Sequence, residues 1–118
     1  MQTEPKISPF VMAYLECAIW TADEDIPDGM TVYDFTPAAV LQATGDCEAF
    51  QKANAELLEA SELSENSQGH DFWLTRNGHG AGFWDRDLPD GLGDALSDAC
   101  KAFGESYVTE ADGVLALY

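Results

Sequence analysis

The segment from His70 to Arg86, HDFWLTRNGHGAGFWDR, constrains the fold of this chain more than any other stretch. Two β-prone runs, 71–76 and 81–86, flank the turn-forming sequence NGHG. An Asn-Gly pair between two such runs is a strong hairpin signal, because these residues accept the positive φ that tight hairpin turns require. We therefore predict a β-hairpin over this segment.

The predicted hairpin has two different faces, because side chains alternate along a strand. Phe72 and Phe83 share one face, and Trp73 and Trp84 share the other. The first face is sufficient to join a core. The second is either covered by the N-terminal helix or exposed as an apolar patch, which monomers usually avoid unless it binds something. In the exposed case Trp73 and Trp84 are candidate partner-binding residues.

Two Ser/Thr-Pro pairs predict helix starts in the N-terminal half. Ser8-Pro9 and Thr36-Pro37 each combine a good N-cap with the residue best suited to the first helical position. The first helix should end near Ala22. The second either runs to about Glu62 or is split at Thr44-Gly45, because glycine costs about 1 kcal/mol against alanine inside a helix.

The C-terminal half continues with one more helix and a second hairpin. Asp90 and Gly104 suit the N-cap and the left-handed C-terminal position of the helix between them. Asp112-Gly113 lies between two β-prone runs and predicts a tight hairpin turn. The order strand-strand-helix-strand-strand favours an antiparallel sheet of two hairpins packed with the N-terminal helices, in a single α+β domain over residues 1–118.

Charge is the feature of the composition that departs most from the ordinary. The chain has 22 acidic and five basic residues, a formal net charge of −17, although 46% of its residues are hydrophobic. Such a surface repels nucleic acid and anionic membranes, so we expect direct binding to neither. It attracts basic surfaces, including the grooves of nucleic-acid-binding proteins. The alternative is that the acidity serves only solubility.

Carboxylates fall into three runs along the chain. The first lies in the loop after the first helix, the second has a three-residue spacing, and the third follows the predicted hairpin. In order, they are Asp23, Glu24, Asp25 and Asp28; Glu56, Glu59, Glu62 and Glu65; and Asp85, Asp87, Asp90, Asp94 and Asp98. Two runs aligned in space would imitate nucleic acid and compete for a basic groove, with steep salt dependence. The alternative is that these residues form ordinary solvated faces.

The remaining chemical groups indicate structural roles. Cys17, Cys47 and Cys100 are widely spaced, odd in number and on apolar helical faces, so we expect reduced core thiols and a cytoplasmic location. The N-terminus carries no signal-peptide pattern. We expect Arg76 and Arg86 to pair with carboxylates of their own chain, such as Asp71 or Asp85.

Catalysis and cofactor binding find little support in these residues. In the predicted hairpin His70 and His79 would be about 20 Å apart and would share no metal ion. We expect no metal, no cofactor and no enzymatic activity, and the only catalytic alternative uses His70 with Asp71.

The segment HDFWLTRNGHGAGFWDR resembles one found in short acidic proteins encoded by phages and plasmids. AYLECAIW and DCEAFQKANAELL are also similar to that group, so the resemblance covers most of the chain and is densest over residues 70–86. It implies a short helix and an acidic hairpin after the segment and an accessory role against host systems; it implies no site residues.

Our interpretation is a small acidic, non-enzymatic binding protein that presents a nucleic-acid-like face to a basic surface of a host nucleic-acid-handling or defence protein and inhibits it. The predicted partner-binding residues are Asp23, Glu24, Asp25, Asp28, Glu56, Glu59, Glu62, Trp73 and Trp84. The alternative is a homodimer or small-ligand-binding module that uses the aromatic hairpin.

Overall fold

The computed structural model describes residues 7–22, 25–78, 82–83, 86, 88–89 and 91–118. Within this part of the chain, helices account for most of the regular structure. They are α1 (Pro9–Ala22), a 3-10 helix (Val32–Asp34), α2 (Pro37–Ala53), α3 (Ala55–Ser61), α4 (Glu65–Arg76) and α5 (Leu92–Lys101). Two strands follow, β1 (Val108–Ala111) and β2 (Val114–Leu117). The predicted α+β class is confirmed, with one two-stranded antiparallel sheet in the described residues.

Both predicted helix starts are confirmed by their capping hydrogen bonds. The Ser8 hydroxyl accepts a hydrogen bond from the Val11 N–H at 3.2 Å. The Thr36 hydroxyl likewise accepts one from the Ala39 N–H at 3.1 Å. Each pairing satisfies an amide that has no partner within its own helix.

The second helical region is split at Asn54, not at Gly45. Asn54 ends α2 with its amide on the Phe50 carbonyl, at 3.1 Å, and its side chain donates to the same carbonyl at 3.0 Å. Gly45 lies inside α2 with nothing within 4 Å of the place where a Cβ would be. The alternative of a break at Thr44-Gly45 is therefore wrong, because an exposed glycine weakens a helix without ending it. The alternative of one helix to about Glu62 is interrupted at Asn54.

The strand predicted over 71–76 is also wrong, because these residues form the second half of α4. The polar run before them supplies the start of that helix: the Ser64 hydroxyl accepts a hydrogen bond from the Ser67 N–H at 3.2 Å. Residues 71–76 are all buried, including the polar Asp71, Thr75 and Arg76. The segment therefore lacks the division into an exposed polar face and a buried apolar face that marks a surface helix. Gly82, Phe83 and Arg86, the described residues of the second predicted strand, lie outside any strand, and the turn at His79 falls outside the described residues.

The C-terminal predictions match the structure closely. Gly104 has a φ of 73°, in the left-handed region, just beyond the end of α5. Asp112 and Gly113 have φ values of 54° and 83°, as a type I′ turn requires, and they join β1 to β2. Gly91 stands at the N-cap of α5, and the predicted cap Asp90 lies outside the described residues.

The core is built around α4, which packs on α1 more extensively than any other two described elements pack on each other. A Cβ on Gly69 of α4 would lie 2.0 Å from the Phe10 carbonyl oxygen of α1, so the glycine permits a close crossing of the two helices. Phe72 of α4 stacks on Phe50 of α2 with ring centroids 4.3 Å apart. The hairpin joins this core through β2, whose Leu115 carbonyl accepts a hydrogen bond from the Thr36 N–H at 2.9 Å.

Candidate functional site

Trp73 belongs to the core. Its side chain is 3% exposed, and its Nε1 donates a hydrogen bond to the Thr21 hydroxyl at 2.8 Å. Its ring meets that of Tyr14 edge-on, with centroids 5.2 Å apart. Of the two alternatives for Trp73, cover by the N-terminal helix is therefore the correct one and the exposed aromatic face is wrong. Trp84 lies outside the described residues.

Arg76 connects four parts of the fold from a buried position. Its guanidinium donates hydrogen bonds to the Tyr14 hydroxyl at 2.8 Å and to Asp46 Oδ2 at 2.9 Å. It also donates to the carbonyls of Phe103, at 3.0 Å, and Gly104, at 2.8 Å. Arg76 thereby ties α4 to α1, α2 and the chain beyond α5. The predicted pairing with a carboxylate of its own chain is confirmed, with Asp46 as the partner rather than Asp71. The other predicted candidate, Asp85, lies outside the described residues.

Two titratable groups of this cluster, Arg76 and Tyr14, keep their protons at neutral pH: Arg76 is charged and the Tyr14 phenol is neutral. Burial lowers the pKa of Arg76, but Tyr14 and Asp46 outweigh it and the pKa of Arg76 is raised. Burial raises the pKa of Tyr14 well above its usual range, against a smaller lowering by Arg76. Arg76 and Asp46 therefore form a structural ion pair, and the neutral Tyr14 hydroxyl lies beside it.

Arg86 and Asp71 form a second internal ion pair, as predicted from the sequence. Arg86 Nε donates a short hydrogen bond to Asp71 Oδ2, and Arg86 Nη2 donates one to Oδ1 at 3.1 Å. Asp71 is 2% exposed, so the bidentate contact satisfies a carboxylate that has little access to water. The hydrogen bond that Arg86 donates to Asp71 raises the pKa of Arg86.

The proposed pairing of His70 with Asp71 lacks hydrogen-bond geometry. His70 Nδ1 is 3.9 Å from Asp71 Oδ1, beyond hydrogen-bonding distance, and Arg86 contacts both oxygens of that carboxylate. The half-exposed His70 ring instead lies beside exposed Trp20, with ring centroids 5.9 Å apart.

The three cysteines are core residues, as predicted. Cys17, Cys47 and Cys100 are free and buried in the structure. Burial raises the pKa of Cys17 to about 12, with a smaller contribution from Asp71. Burial likewise raises the pKa of Cys47 and of Cys100 well above the usual thiol range. These thiols are protonated at neutral pH and are poor nucleophiles.

The two internal ion pairs leave few cations for the surface. Arg76 and Arg86 are two of the five basic residues, and Lys52 and Lys101 are exposed. Lys6 is outside the described residues. Among the described residues, 12 acidic side chains are exposed, and Lys52 and Lys101 are the exposed basic residues outside the two ion pairs.

Exposed carboxylates occur on several elements, and members of two acidic runs lie on helices that pack against each other. Single exposed acidic residues lie on α1 and α2, at Glu16 and Glu48. By contrast, α3 packs against α5. The exposed carboxylates here are Glu56 and Glu59 on α3, Glu62 at the C-cap of α3, and Asp94 and Asp98 on α5. We call this set the α3–α5 acidic face. The predicted ridge of glutamates is thus joined by a run that the sequence alone did not attach to it.

The loop residues Asp25 and Asp28 are exposed and lie at the other end of α1 from its N-cap. Their neighbours in the first acidic run, Asp23 and Glu24, are outside the described residues. Asp25 lines a pocket of about 260 Å³ together with Trp73, Glu105 and Val108. The structure therefore places Asp25 beside the terminal hairpin, whereas the glutamate ridge belongs to the α3–α5 acidic face.

Glu105 was missed as a candidate residue. It follows Gly104 directly and accepts a short hydrogen bond from the Tyr107 hydroxyl. This hydrogen bond raises the pKa of the exposed Tyr107. A carboxylate just before a predicted hairpin is the only signal that the sequence offers for it.

Neither a metal site nor a membrane span is found in the described residues. No group of three or more His, Cys, Asp or Glu in this part of the chain is arranged to hold a metal ion. None of its helices is long and apolar enough to cross a bilayer. The chain matches no family model, no curated protein and no solved structure.

Proposed function

We propose that this chain is a non-enzymatic binding protein that docks an acidic surface onto the basic surface of a nucleic-acid-handling protein. An accessory role of phage or plasmid type, such as inhibition of a defence system, is the biological setting that we infer. The observation that supports the proposal is the packing of α3 against α5, two helices that each carry exposed carboxylates.

The spacing within the α3–α5 acidic face suits a partner that binds phosphates. Glu56 and Glu59 are about 4.5 Å apart along the axis of α3, and Asp94 and Asp98 about 6 Å apart along α5, at 1.5 Å per residue. Each strand of duplex DNA carries one phosphate per ~3.4 Å of axis. Two acidic rows on neighbouring helices thus offer a charge density of the same order as two phosphate rows.

The internal ion pairs support the same proposal, because they use both arginines that could otherwise neutralise surface carboxylates. Arg76 and Arg86 are the residues best suited to hold carboxylates bidentately, and both are occupied within the fold. The exposed Lys52 and Lys101 are weaker, more hydrated partners for neighbouring carboxylates. A cationic partner therefore meets a surface that is largely uncompensated.

The alternative function, an aromatic binding module, depends on a surface from which Trp73 is now excluded. Trp73 is buried, so a homodimer or ligand site built on a paired Trp73 and Trp84 face needs another set of residues. The alternative that the acidity serves only solubility is the one the experiment must separate from specific docking.

Competition with nucleic acid tests the proposal directly. Purified basic DNA- and RNA-binding domains are each loaded with a labelled oligonucleotide, and the chain is added while fluorescence anisotropy is recorded. We expect displacement of the oligonucleotide from at least one domain, with an affinity that falls steeply as salt rises. Displacement from none of the domains, or displacement from all of them with equal affinity, would contradict specific docking.

A further inference from the structure

A pocket beside the terminal hairpin combines an apolar floor with an acidic rim. Ala18 and Ala22 of α1 and Trp73 of α4 contribute apolar surface to its lining. Asp25 and Glu105, both exposed, contribute carboxylates. A long cationic side chain needs both features, because its methylene stem packs on apolar surface while its charged head remains polar.

The outer edge of β1 borders the same pocket through Val108. Tyr107 and Tyr118 exchange two backbone hydrogen bonds, at 3.0 and 2.9 Å. Because the pattern alternates along an antiparallel pair, Thr109 and Ala111 also face β2, and the amides of Val108 and Glu110 face outward. Among the described residues, no backbone hydrogen bond reaches these two outward amides from another element. An extended segment can therefore add to β1 as a third strand.

The strand residues whose side chains face solvent are uncharged. Cross-strand partners along this side of the hairpin are Tyr107 and Tyr118, Thr109 and Ala116, and Ala111 and Val114. Tyr107, Tyr118 and Val114 are exposed, at 58%, 71% and 45%. This apolar side suits small or β-branched side chains of an added strand, while the next residue of that strand points toward the pocket.

We propose that the edge of β1 binds an extended segment of a basic partner, whose lysine or arginine side chain enters the pocket between Asp25 and Glu105. The Tyr107 hydroxyl donates to Glu105 Oε1 and holds that carboxylate at the rim. The inference deepens the proposed function, because it assigns the chemistry of one contact that a basic partner would make.

Charge complementarity selects a basic partner over a second copy of this chain. Each copy carries a net charge of −17, and pairing two β1 edges would bring Glu105, Glu110 and Asp112 of both copies together. Repulsion of that kind opposes a dimer at low salt and would weaken as salt rises. Binding of a basic strand instead weakens as salt rises, so the salt dependence of binding distinguishes a basic partner from a second copy.

The experiment is an NMR titration of the ¹⁵N-labelled full chain with the capped peptide Ac-Thr-Val-Arg-Val-Thr-amide. We expect shifts of the Val108 and Glu110 amides and of the Trp73 indole N–H. A peptide with citrulline in place of arginine keeps the shape without the charge, and it should bind at least about tenfold more weakly, a difference of about 1.4 kcal/mol. A peptide N-methylated on one edge should also lose binding, since it cannot complete the strand pairing.

Two protein variants of equal net charge provide the control. Asp25→Asn with Glu105→Gln should lose at least about tenfold in peptide affinity, whereas Glu16→Gln with Glu48→Gln should keep it. Equal binding of the arginine and citrulline peptides, shifts confined to other surfaces, or equal losses in both variants would overturn the inference. So would self-association through β1 that strengthens with salt.

Failure of this inference is distinguishable from failure of the proposed function. Glu56→Gln with Glu59→Gln removes charge from the α3–α5 acidic face and should leave peptide binding at β1 unchanged. If the peptide does not bind while the chain still displaces oligonucleotides, only the site at β1 is refuted. If the peptide binds and no oligonucleotide is displaced, the site stands and the proposed nucleic-acid-handling partner is refuted.

Discussion

Gly69 of α4 lies against the backbone of Phe10 in α1, so close that a Cβ would be 2.0 Å from the Phe10 carbonyl oxygen. This contact lies where the two most extensively packed helices cross. It explains why a residue with low helix propensity occurs inside the central helix. The close crossing in turn supports the burial of Trp73 and Arg76 further along α4.

The Gly69 contact predicts opposite effects of the same substitution at two helical glycines. Gly69→Ala should destabilise the fold by about 2 kcal/mol or more, because the helices must move apart and packing is lost. Gly45→Ala should stabilise it by about 0.5–1 kcal/mol, because nothing lies near a Cβ there and the helix gains propensity. Urea unfolding of both variants measures the difference, and equal effects would show that the crossing is not close.

Removal of the Arg76 side chain should cost far more than removal of an equal charge at the surface. Arg76→Met should destabilise the fold by about 3 kcal/mol, because it abolishes four hydrogen bonds and the ion pair with Asp46. Lys101→Met makes the same change in net charge at an exposed position and should alter the free energy of unfolding by less than about 0.5 kcal/mol. Chemical denaturation measures both variants, and equal free energies of unfolding would contradict the role assigned to Arg76.

Stability should fall on the alkaline side of neutrality because of the buried thiols. The folded-state pKa of Cys17 is about 12, against an ordinary value of 9.0, so the folded state binds the thiol proton more tightly than the unfolded state. That contribution is fully present below about pH 9 and is lost as the pH rises toward 12. Melting temperatures between about pH 8 and pH 11 should fall less steeply for Cys17→Ala than for the unmodified chain. Parallel curves would contradict a buried, protonated Cys17.

Added salt should stabilise this fold at neutral pH. A net charge of −17 repels itself within a compact chain, and the two internal ion pairs do not relieve the remaining surface charge. Raising the salt concentration from about 0.01 to 0.1 M shortens the Debye length from about 30 to about 10 Å, which weakens that repulsion. The melting temperature should therefore rise over this range, and a fall would show that surface attraction, not repulsion, dominates.

Local signals in the sequence were sufficient wherever neighbouring residues decide the structure. Ser8-Pro9, Thr36-Pro37 and Asp112-Gly113 each fix their cap or turn through contacts a few residues away, and all three predictions are confirmed. The segment 71–76 failed for the opposite reason. Its side chains are buried on all sides of α4 by distant elements, so period-two and helical patterns cannot be told apart there.

The candidate site shows the same division between local and distant contacts. The pairing of Arg86 with Asp71 was within reach of sequence reasoning, because both residues lie in one segment. The partner of Arg76 is 30 residues away, and the α3–α5 acidic face depends on a packing contact that no local pattern encodes. Asp25 meets Glu105 at one pocket only because the hairpin returns to the end of α1.

The most direct test of specific acidic docking compares variants that carry the same net charge. Each of four doubles removes two carboxylates and leaves a net charge of −15: E56Q/E59Q and D94N/D98N on the α3–α5 acidic face, D25N/D28N in the loop after α1, and E16Q/E48Q elsewhere. The affinity of each is measured for the basic domain from which the unmodified chain displaces nucleic acid. We predict that both doubles on the acidic face lose at least about tenfold in affinity while E16Q/E48Q loses little. Equal losses in all four would contradict the proposal, because they would show that total charge, not an arranged surface, attracts the partner.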